Sequence, residues 1–244
     1  MHHTHIIFPF PNANQIYNAS NLRLALVGPQ FKHTINALAC KRDFTFAAIG
    51  RSIIQCTRVH RTAEYTGPHT ADIIQLLVLG DLLFSLARDG TLAVWTIGTP
   101  TAPLRTITLP SGFTPTCMAH PDTYINKIII GSTDGRMQLW NFSSGKCIHQ
   151  FDDLCSRRQQ GTGDNDDDHD DDNDDGNTNN TSIRCIVPSP ALDVVGVGLS
   201  DGYVLFLFLL FVHLSVPLLI PQSSKRFECV IEFHAGHKRT QEIR

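Results

Sequence analysis

This chain of 244 residues has none of the short motifs that mark common enzyme sites. It lacks a glycine-rich phosphate loop, a Gly-x-Ser-x-Gly elbow and a His-Glu-x-x-His helix, which excludes the nucleotide, esterase and metalloprotease chemistries that depend on those motifs. It also lacks a charged N-terminal region followed by a long apolar run, so no secretory signal is expected. We predict no catalytic residue, no cofactor and no enzyme activity.

Cysteine is present, but it is not arranged in pairs. The seven cysteines are widely spaced, and no Cys-x-x-Cys occurs. An odd, scattered set indicates reduced and mostly buried thiols in an intracellular protein. Cys147 and His149 share one face of a strand-like run, but no second ligand pair completes a tetrahedral site. We therefore predict no metal site.

Three Asp-Gly pairs punctuate the chain. The first two lie 45 residues apart, each is followed by a Trp five residues after the Gly, and each joins two short apolar runs. Gly supplies the positive φ that a tight hairpin needs, and a repeat of about 40–45 residues with a terminal Trp is typical of a WD-repeat β-propeller blade. The predicted structural blade positions are Asp89, Gly90, Trp95, Asp134, Gly135, Trp140, Asp201 and Gly202.

The third pair follows the second by 67 residues because an insertion separates them. Residues 160–181 are rich in Asp, Asn and Gly and contain no apolar residue, which predicts a disordered, acidic low-complexity loop. A degenerate earlier repeat has Gln55 in the place of the Trp. The predicted fold is all-β: a partial WD-repeat β-propeller of about four blades, not closed, over residues 15–204, after a disordered N-terminus at 1–14.

Residues 205–222 are almost wholly apolar and interrupt the blade pattern. Three interpretations compete: a membrane helix near the lower limit of length for spanning, a buried β segment, and a translated intron. The intron hypothesis rests on codons. Phe, Leu, Ser and Pro have codons made only of pyrimidines, and the run ends in Pro221-Gln222, where a CAG codon for Gln would supply the AG. A pyrimidine tract that ends in AG is typical of the end of an intron. Residues 223–244 are predicted to form a polar tail or the start of a further blade.

The charge is unevenly distributed. Nine aspartates lie between Asp164 and Asp175, and removing them from the formal net charge of −3 leaves a body of +6. Asp171 to Gly176 match the first half of an EF-hand loop, but Ser182 stands where a bidentate Glu is needed, so we expect loose attraction of cations or basic tails. A basic group in the first blade is interpreted as a solvated face, with contact to RNA or a protein partner as the alternative: Lys41, Arg42, Arg51, Arg58 and Arg61.

Four stretches resemble the WD-repeat subunit family of the small-subunit processome, of the Utp-twenty-one type. They are FTFAAIG (44–50), GDLLFSLARDGTLAVWTI (80–97), HPDTYINKIIIGSTDGRMQLWNFSSGKCIHQF (120–151) and PALDVVGVGLSDGYV (190–204). The run from His120 to Lys127 is the most specific element, because it is not a general propeller feature. Family members have two tandem propellers followed by a helical domain, and this chain corresponds to part of the first propeller.

The resemblance implies a non-catalytic scaffold subunit that acts in small-subunit rRNA processing and ribosome biogenesis, in the nucleus and nucleolus. The implied partners are other processome proteins, with pre-ribosomal RNA nearby and no membrane contact. Two alternatives from other classes are a general WD-repeat adaptor, such as a substrate receptor of a ubiquitin ligase, and a membrane-anchored propeller.

Overall fold

The computed structural model describes residues 5–18, 20–151, 181–190, 192–209 and 231–234. Within these residues every regular element is a β-strand, and 19 strands form five antiparallel sheets. The first sheet has three strands and the other four have four strands each. The all-β fold class predicted from the sequence is confirmed.

The strands of each sheet follow one another in chain order. The first sheet contains β1 (His5–Phe10), β2 (Ala13–Asn18) and β3 (Leu24–Val27); the second contains β4 (Ala37–Lys41), β5 (Phe44–Ile49), β6 (Ser52–Thr57) and β7 (His60–Tyr65); the third contains β8 (Ile73–Leu79), β9 (Leu82–Ala87), β10 (Thr91–Thr96) and β11 (Arg105–Thr108); the fourth contains β12 (Pro115–Ala119), β13 (Lys127–Ser132), β14 (Met137–Asn141) and β15 (Lys146–Phe151); the fifth contains β16 (Ile183–Pro188), β17 (Val194–Leu199), β18 (Tyr203–Phe208) and β19 (Ile231–His234). Each sheet is therefore a meander whose neighbouring strands are joined locally, the strand order expected of propeller blades.

The first sheet begins earlier than the sequence pattern indicated. Strand β1 lies inside residues 1–14, the segment expected to be disordered, and pairs with β2 from His5 opposite Asn18 to Phe10 opposite Ala13. The two-residue connection at Pro11 and Asn12 closes this hairpin. Because this turn has a Pro-Asn pair where the later hairpins have Asp-Gly, the Asp-Gly repeat does not predict it.

The described residues divide into two compact units: those up to Met118 together with Phe142–Gly145, and Ala119–Asn141 together with those from Lys146 onward. In the first unit, side chains of the second and third sheets form one core around Phe46, Tyr65 and Trp95, each fully buried. The rings of Phe46 and Tyr65 are 6.3 Å apart, and those of Tyr65 and Trp95 are 5.4 Å apart and edge to face. Burial of each such side chain contributes about 1.5–3 kcal/mol.

In the second unit the fourth and fifth sheets pack through a glycine. A Cβ on Gly131 would lie 2.6 Å from Cγ2 of Ile183, so β13 accepts this isoleucine only because residue 131 has no side chain. Ile128, Ile130 and Ile183 are fully buried. The apolar runs that flank the Asp-Gly pairs are thus the core strands of their sheets.

Part of the apolar segment belongs to the fifth sheet. Strand β18 pairs with β17 on one side and with β19 on the other, and Leu205, Leu207 and Leu209 are buried. Residues 210–222, to which the intron and membrane-helix hypotheses also apply, lie outside the described residues. Among those that are described, no helix is long and apolar enough to span a membrane.

Candidate functional site

The three Asp-Gly pairs lie in the turns between the second and third strands of their sheets. The φ angles of the glycines are 78° at Gly90, 76° at Gly135 and 91° at Gly202, all in the left-handed region that favours glycine. The Gly90 amide donates to the carbonyl oxygen of Ala87, and the Gly202 amide to that of Leu199, both at 3.2 Å. Each of these two is a four-residue turn that ends in a left-handed glycine, one of the common longer hairpin connections.

A buried hydrogen-bond chain stands behind the first of these turns. The indole Nε1 of Trp95 donates to the hydroxyl of Ser85 at 3.0 Å, and Nε2 of His69 lies 2.7 Å from the same hydroxyl. Ser85 and Trp95 are fully buried and His69 is 5% exposed. Burial lowers the pKa of His69, and the negative charge of Asp89 only partly opposes this. The imidazole is therefore neutral in the folded chain at pH 7.

Asp89 ties this turn to the segment that precedes β8. Its carboxylate accepts hydrogen bonds from the Thr70 amide at 2.6 Å, the Thr70 hydroxyl at 2.8 Å and the Thr91 amide at 2.8 Å. Burial tends to raise the pKa of Asp89, but the hydrogen bonds from Thr70 and Thr91 outweigh it and lower the pKa to about 2. The carboxylate thus stays ionised and fastens two loops of one sheet.

The fourth sheet has the same Asp-Gly turn, but a different side chain accepts the hydrogen bond of its buried indole. The indole Nε1 of Trp140 donates to Oε1 of Gln138 at 3.0 Å, and Nε2 of Gln138 donates to Oε1 of Gln150 at 2.7 Å. Asp134 interacts with the side chains of Ser132 and Arg136 on either side of it. The equivalent tryptophans therefore occupy equivalent strands but have different acceptors.

The second and fifth sheets lack the tryptophan. Gln55, at the equivalent place in β6, accepts a hydrogen bond from the hydroxyl of Tyr65 at 2.7 Å in the buried core. In the fifth sheet the Tyr203 amide donates to Asp201 at 3.1 Å, and the Thr181 hydroxyl donates to the same carboxylate at 3.4 Å. A threonine hydroxyl before the sheet's first strand therefore bonds to the turn aspartate in the fifth sheet, as Thr70 does in the third.

Sequence reasoning missed His69 and Ser85, which carry the buried chain in the third sheet. The available signal was Gly67-Pro68-His69, since a Gly-His element ahead of the first strand accompanies the Trp of many WD repeats. The inserted Pro68 obscured that element, and a lone serine in β9 carries no signal of its own. Both residues become recognisable only once Trp95 is known to need a buried acceptor.

Of the basic residues predicted for the first blade, which is the second sheet of the structure, only Arg51 lies apart from the other four. Arg42 and Arg58 lie in the β4–β5 and β6–β7 turns at one end of the second sheet, with φ of 50° and 55°, whereas Arg51 follows Gly50 in the β5–β6 turn at the other end. Lys41 forms an ion pair with Asp81. The set is therefore not one patch.

Arg61, the fifth member of the set, is held by local contacts. Its guanidinium carbon lies 4.7 Å from the centre of the Phe31 ring, and its Nη2 donates to the carbonyl oxygen of Gln30 at 2.8 Å. A stacked and hydrogen-bonded guanidinium stabilises the loop before β4. This contact favours a structural role for Arg61 over a free binding group.

In the part of the chain that the structure describes, no group of three or more His, Cys, Asp or Glu side chains is placed to hold a metal ion. Cys147 donates to the carbonyl oxygen of His149 at 3.6 Å, and the His149 ring packs edge to face on Phe151. A bulge in the pairing of β14 with β15 places Cys147 opposite Trp140 and His149 opposite Leu139. The acidic tract, including the partial EF-hand pattern, lies outside the described residues.

Comparison with known proteins assigns the chain to a family. A family model described as the WDR36/Utp21 first beta-propeller matches residues 6–211, a range that includes the start of the apolar segment. WD repeat-containing protein 36 of Homo sapiens is 28% identical over 189 residues, which cover 78% of this chain and 18% of that protein. The U3 small nucleolar RNA-associated protein 21 homolog of Schizosaccharomyces pombe is 27% identical over 196 residues, which cover 78% of this chain and 19% of that protein.

Solved structures are similar in fold alone. The computationally designed Ika8 protein aligns with a TM-score of 0.62 at 16% identity, over 85% of this chain and 56% of that one. A chain of the mitotic checkpoint complex aligns with a TM-score of 0.63 at 14% identity, over 83% and 58%. The chain spans less than a fifth of the length of the two relatives that it matches in sequence. The family match confirms the resemblance and the WD-repeat propeller fold: the chain belongs to the family of the WDR36/Utp21 first β-propeller domain.

Proposed function

We propose that this chain acts in ribosome biogenesis as a non-catalytic scaffold element of the small-subunit processome. The observation that carries the proposal is the family match over residues 6–211, together with a relative whose name associates it with the U3 small nucleolar RNA. A nucleolar location and a contribution to small-subunit rRNA processing follow from the same relationship.

The arrangement of polar side chains supports a scaffold role. His69 and Trp95 each bond to the Ser85 hydroxyl in the core, and Asp89 accepts hydrogen bonds from the amide and the hydroxyl of Thr70. These are the partners expected of groups that hold strands and turns in place, since buried polar groups are nearly always paired. The repeated sheets then offer their connecting loops to partners, since loops held by a rigid scaffold commonly carry binding residues.

The blade positions predicted from the sequence fit this role as structural residues. We propose that Asp89, Trp95, Asp134, Trp140 and Asp201, with the glycines that follow the aspartates, shape the sheets and do not contact partners directly. Trp95 is fully buried and Trp140 is 6% exposed, so neither ring is available to a partner.

The test is affinity purification of the tagged chain from the cells that make it. We expect processome proteins and U3 small nucleolar RNA in the eluate, and accumulation of small-subunit rRNA precursors when the protein is depleted while large-subunit rRNA still matures. A tagged WD-repeat adaptor of a ubiquitin ligase serves as the matched control. Recovery of ligase subunits, or of membrane that resists carbonate extraction, without processome components would contradict the proposal and favour one of the two alternative classes.

A further inference from the structure

Four connections of the first compact unit line one polar cavity, which has a volume of about 700 Å³. They are the β1–β2 turn, the β3–β4 connection, the β5–β6 turn and the β7–β8 connection. The polar side chains of the lining are Asn12, Lys32, His33, Thr34, Asn36 and Asp72. We call this space the 32/72 cavity, after its lysine and its aspartate.

The β3–β4 connection is held between two buried anchors. The Phe31 amide donates to the carbonyl oxygen of Asn12 at 2.7 Å, and Phe31 is 5% exposed. The Ile35 amide donates to the carbonyl oxygen of Pro11 at 2.8 Å, and Ile35 is 6% exposed. Residues 32–34, between the anchors, are exposed. The two anchors therefore fix the backbone of the loop that carries the lysine.

Asp72 lies beside the β5–β6 turn. The Ile73 amide donates to the carbonyl oxygen of Gly50 at 2.8 Å, and a Cβ on Gly50 would lie 3.7 Å from Oδ1 of Asp72. The Arg88 amide donates to the carbonyl oxygen of Asp72 itself at 3.0 Å. The backbone at Asp72 is thus fixed by hydrogen bonds, whereas its side chain is exposed.

The polar side chains of the cavity have no partners in the described part of the chain. Lys32 and Asp72 form an ion pair neither with each other nor with another described residue. The remaining polar side chains of the lining make no hydrogen bond to a described residue: Asn12, His33, Thr34 and Asn36. The backbone amides of residues 32–34 likewise donate to no described acceptor. A cation and an anion therefore line one cavity and do not pair with each other.

Opposite charges that share a cavity without pairing favour a ligand that carries both signs. A carboxylate of the ligand can accept from the Lys32 ammonium and from the unbonded amides of residues 32–34, while a cation of the ligand lies against Asp72. The cube root of the cavity volume is about 9 Å, which is the length of two or three extended residues. Both charges therefore come from one short stretch of a polypeptide.

Two other classes of anion fit this cavity less well. The charges of Lys32 and Asp72 cancel, so the pair offers no net positive charge to the phosphate backbone of a nucleic acid. A phosphorylated side chain carries a charge of about −1.5 to −2 at pH 7, which is more than one lysine neutralises.

We propose that the 32/72 cavity binds a protein segment in which Asp or Glu lies within two residues of Lys or Arg. The acidic side chain of the segment pairs with Lys32, and the basic one pairs with Asp72. The proposal rests on the proposed scaffold function and names the site and the partner chemistry that one part of the scaffold uses.

The first test replaces Thr34, an exposed residue of the lining, with the photo-crosslinker p-benzoylphenylalanine in the tagged full chain and identifies the crosslinked peptide by mass spectrometry. The matched control carries the same group at Leu104, which is 66% exposed and lies outside the cavity in the β10–β11 connection. We expect a crosslink from position 34, and not from position 104, to a peptide of another protein that contains the acidic and basic pair. A crosslink only to RNA, to a second copy of the chain, or to a peptide that is phosphorylated or lacks the pair would overturn the proposal, as would none above the control.

The second test measures binding of a synthetic peptide of the crosslinked sequence to the purified chain by fluorescence anisotropy. Lys32→Glu and Asp72→Lys are each expected to weaken binding at least about tenfold. The matched controls, Lys146→Glu and Asp122→Lys, make the same charge changes at exposed residues outside the cavity and should alter binding less than about twofold. Because all four side chains are exposed, the thermal unfolding temperature should not change. Equal binding by the cavity variants and the controls would refute the site.

A charge-reversed peptide separates direct pairing from a general effect of charge. In this peptide the acidic residue of the pair is Lys and the basic residue is Glu. The double variant Lys32→Glu/Asp72→Lys has the net charge of the wild-type chain and should bind the reversed peptide within about threefold of the original affinity. Absence of this rescue in a folded double variant would show that the two side chains do not contact the peptide.

The two proposals fail in different ways. If the wild-type chain recovers no processome protein or U3 RNA, the proposed function is wrong, and the identity of the crosslinked peptide still decides the chemistry of the cavity. If the wild-type chain and the two cavity variants recover the same processome proteins and bind the peptide equally, the function stands and the site is refuted.

Discussion

Removal of the Ser85 hydroxyl is expected to be among the most destabilising conservative changes in this chain. The hydroxyl accepts from the Trp95 indole and lies within hydrogen-bond distance of His69 Nε2. The other imidazole nitrogen, Nδ1, is buried and has no hydrogen-bond partner. In Ser85→Ala the whole imidazole and the indole N–H would therefore be left in the core without the partner that now serves both.

The magnitude follows from the number of groups left unpaired. A buried polar group that loses its partner costs roughly 1–3 kcal/mol, and two groups are affected. Removing one oxygen from a fully buried position leaves little extra space, so the cavity contribution is small beside the unpaired groups. We expect Ser85→Ala to lower the free energy of unfolding by about 2–6 kcal/mol.

The assay is urea unfolding of the chain followed by far-ultraviolet circular dichroism, with tryptophan fluorescence as a second probe. Ser52→Ala, at a half-buried serine in β6 outside this network, is the matched control and should change the unfolding free energy by less than about 0.5 kcal/mol. A double-mutant cycle with Trp95→Phe should give a coupling energy of about 1 kcal/mol or more. A loss for Ser85→Ala no larger than that of the control, at an unchanged slope with urea, would refute the reasoning.

Three further perturbations test other parts of the fold. Burial lowers the pKa of His69 below its unfolded value of about 6.5. The stability that the neutral imidazole contributes is therefore present above that pH and is lost as the pH falls. In His69→Gln, the thermal unfolding temperature should depend less on pH between about pH 7 and pH 5. Asp89→Ala should cost about 1–2 kcal/mol in urea unfolding, because it removes the acceptor that joins two loops of the third sheet. Gly131→Ala would place a Cβ 2.6 Å from Ile183 and should cost about 1–3 kcal/mol, whereas Gly196→Ala meets nothing closer than 3.6 Å and should cost less than 1 kcal/mol in the same assay.

The blade pattern could be predicted because it depends on neighbours in the sequence. A left-handed glycine in a hairpin turn, flanked by apolar strands, is a local requirement, and Gly90, Gly135 and Gly202 all have the positive φ that the Asp-Gly pairs predict. Because each turn is recognised from its own neighbours, the 67 residues between Asp134 and Asp201 can be interpreted as one normal repeat plus an insertion. A four-stranded meander makes most of its contacts between consecutive strands, so repetition in the sequence becomes repetition in the fold.

What escaped prediction depends on residues that meet from different strands or that break the turn rules. His69 is 16 residues from Ser85 in the sequence, and Ser85 is 10 residues from Trp95. Turn residues alone therefore do not predict the hydrogen bonds among these three side chains. The turn at Arg42 is a second example, because its φ is 50° at a place where the next sheet has Gly80 at 56°. Arginine carries no hairpin signal, and the strand pairing on either side imposes the turn.

The two tryptophans show why the repeat predicts a strand and yet leaves its hydrogen-bond partner undetermined. Ten residues before Trp95 stands Ser85, whereas ten residues before Trp140 stands the apolar Ile130. A buried indole N–H still needs an acceptor, and in the fourth sheet Gln138, 1% exposed, supplies it from two residues away. Because the glutamine amide is then buried too, it needs its own acceptor, and Gln150 on the neighbouring strand supplies that oxygen. Amides at two positions therefore replace the serine of the third sheet, and the Trp140 indole N–H and the Gln138 amide N–H each have an acceptor.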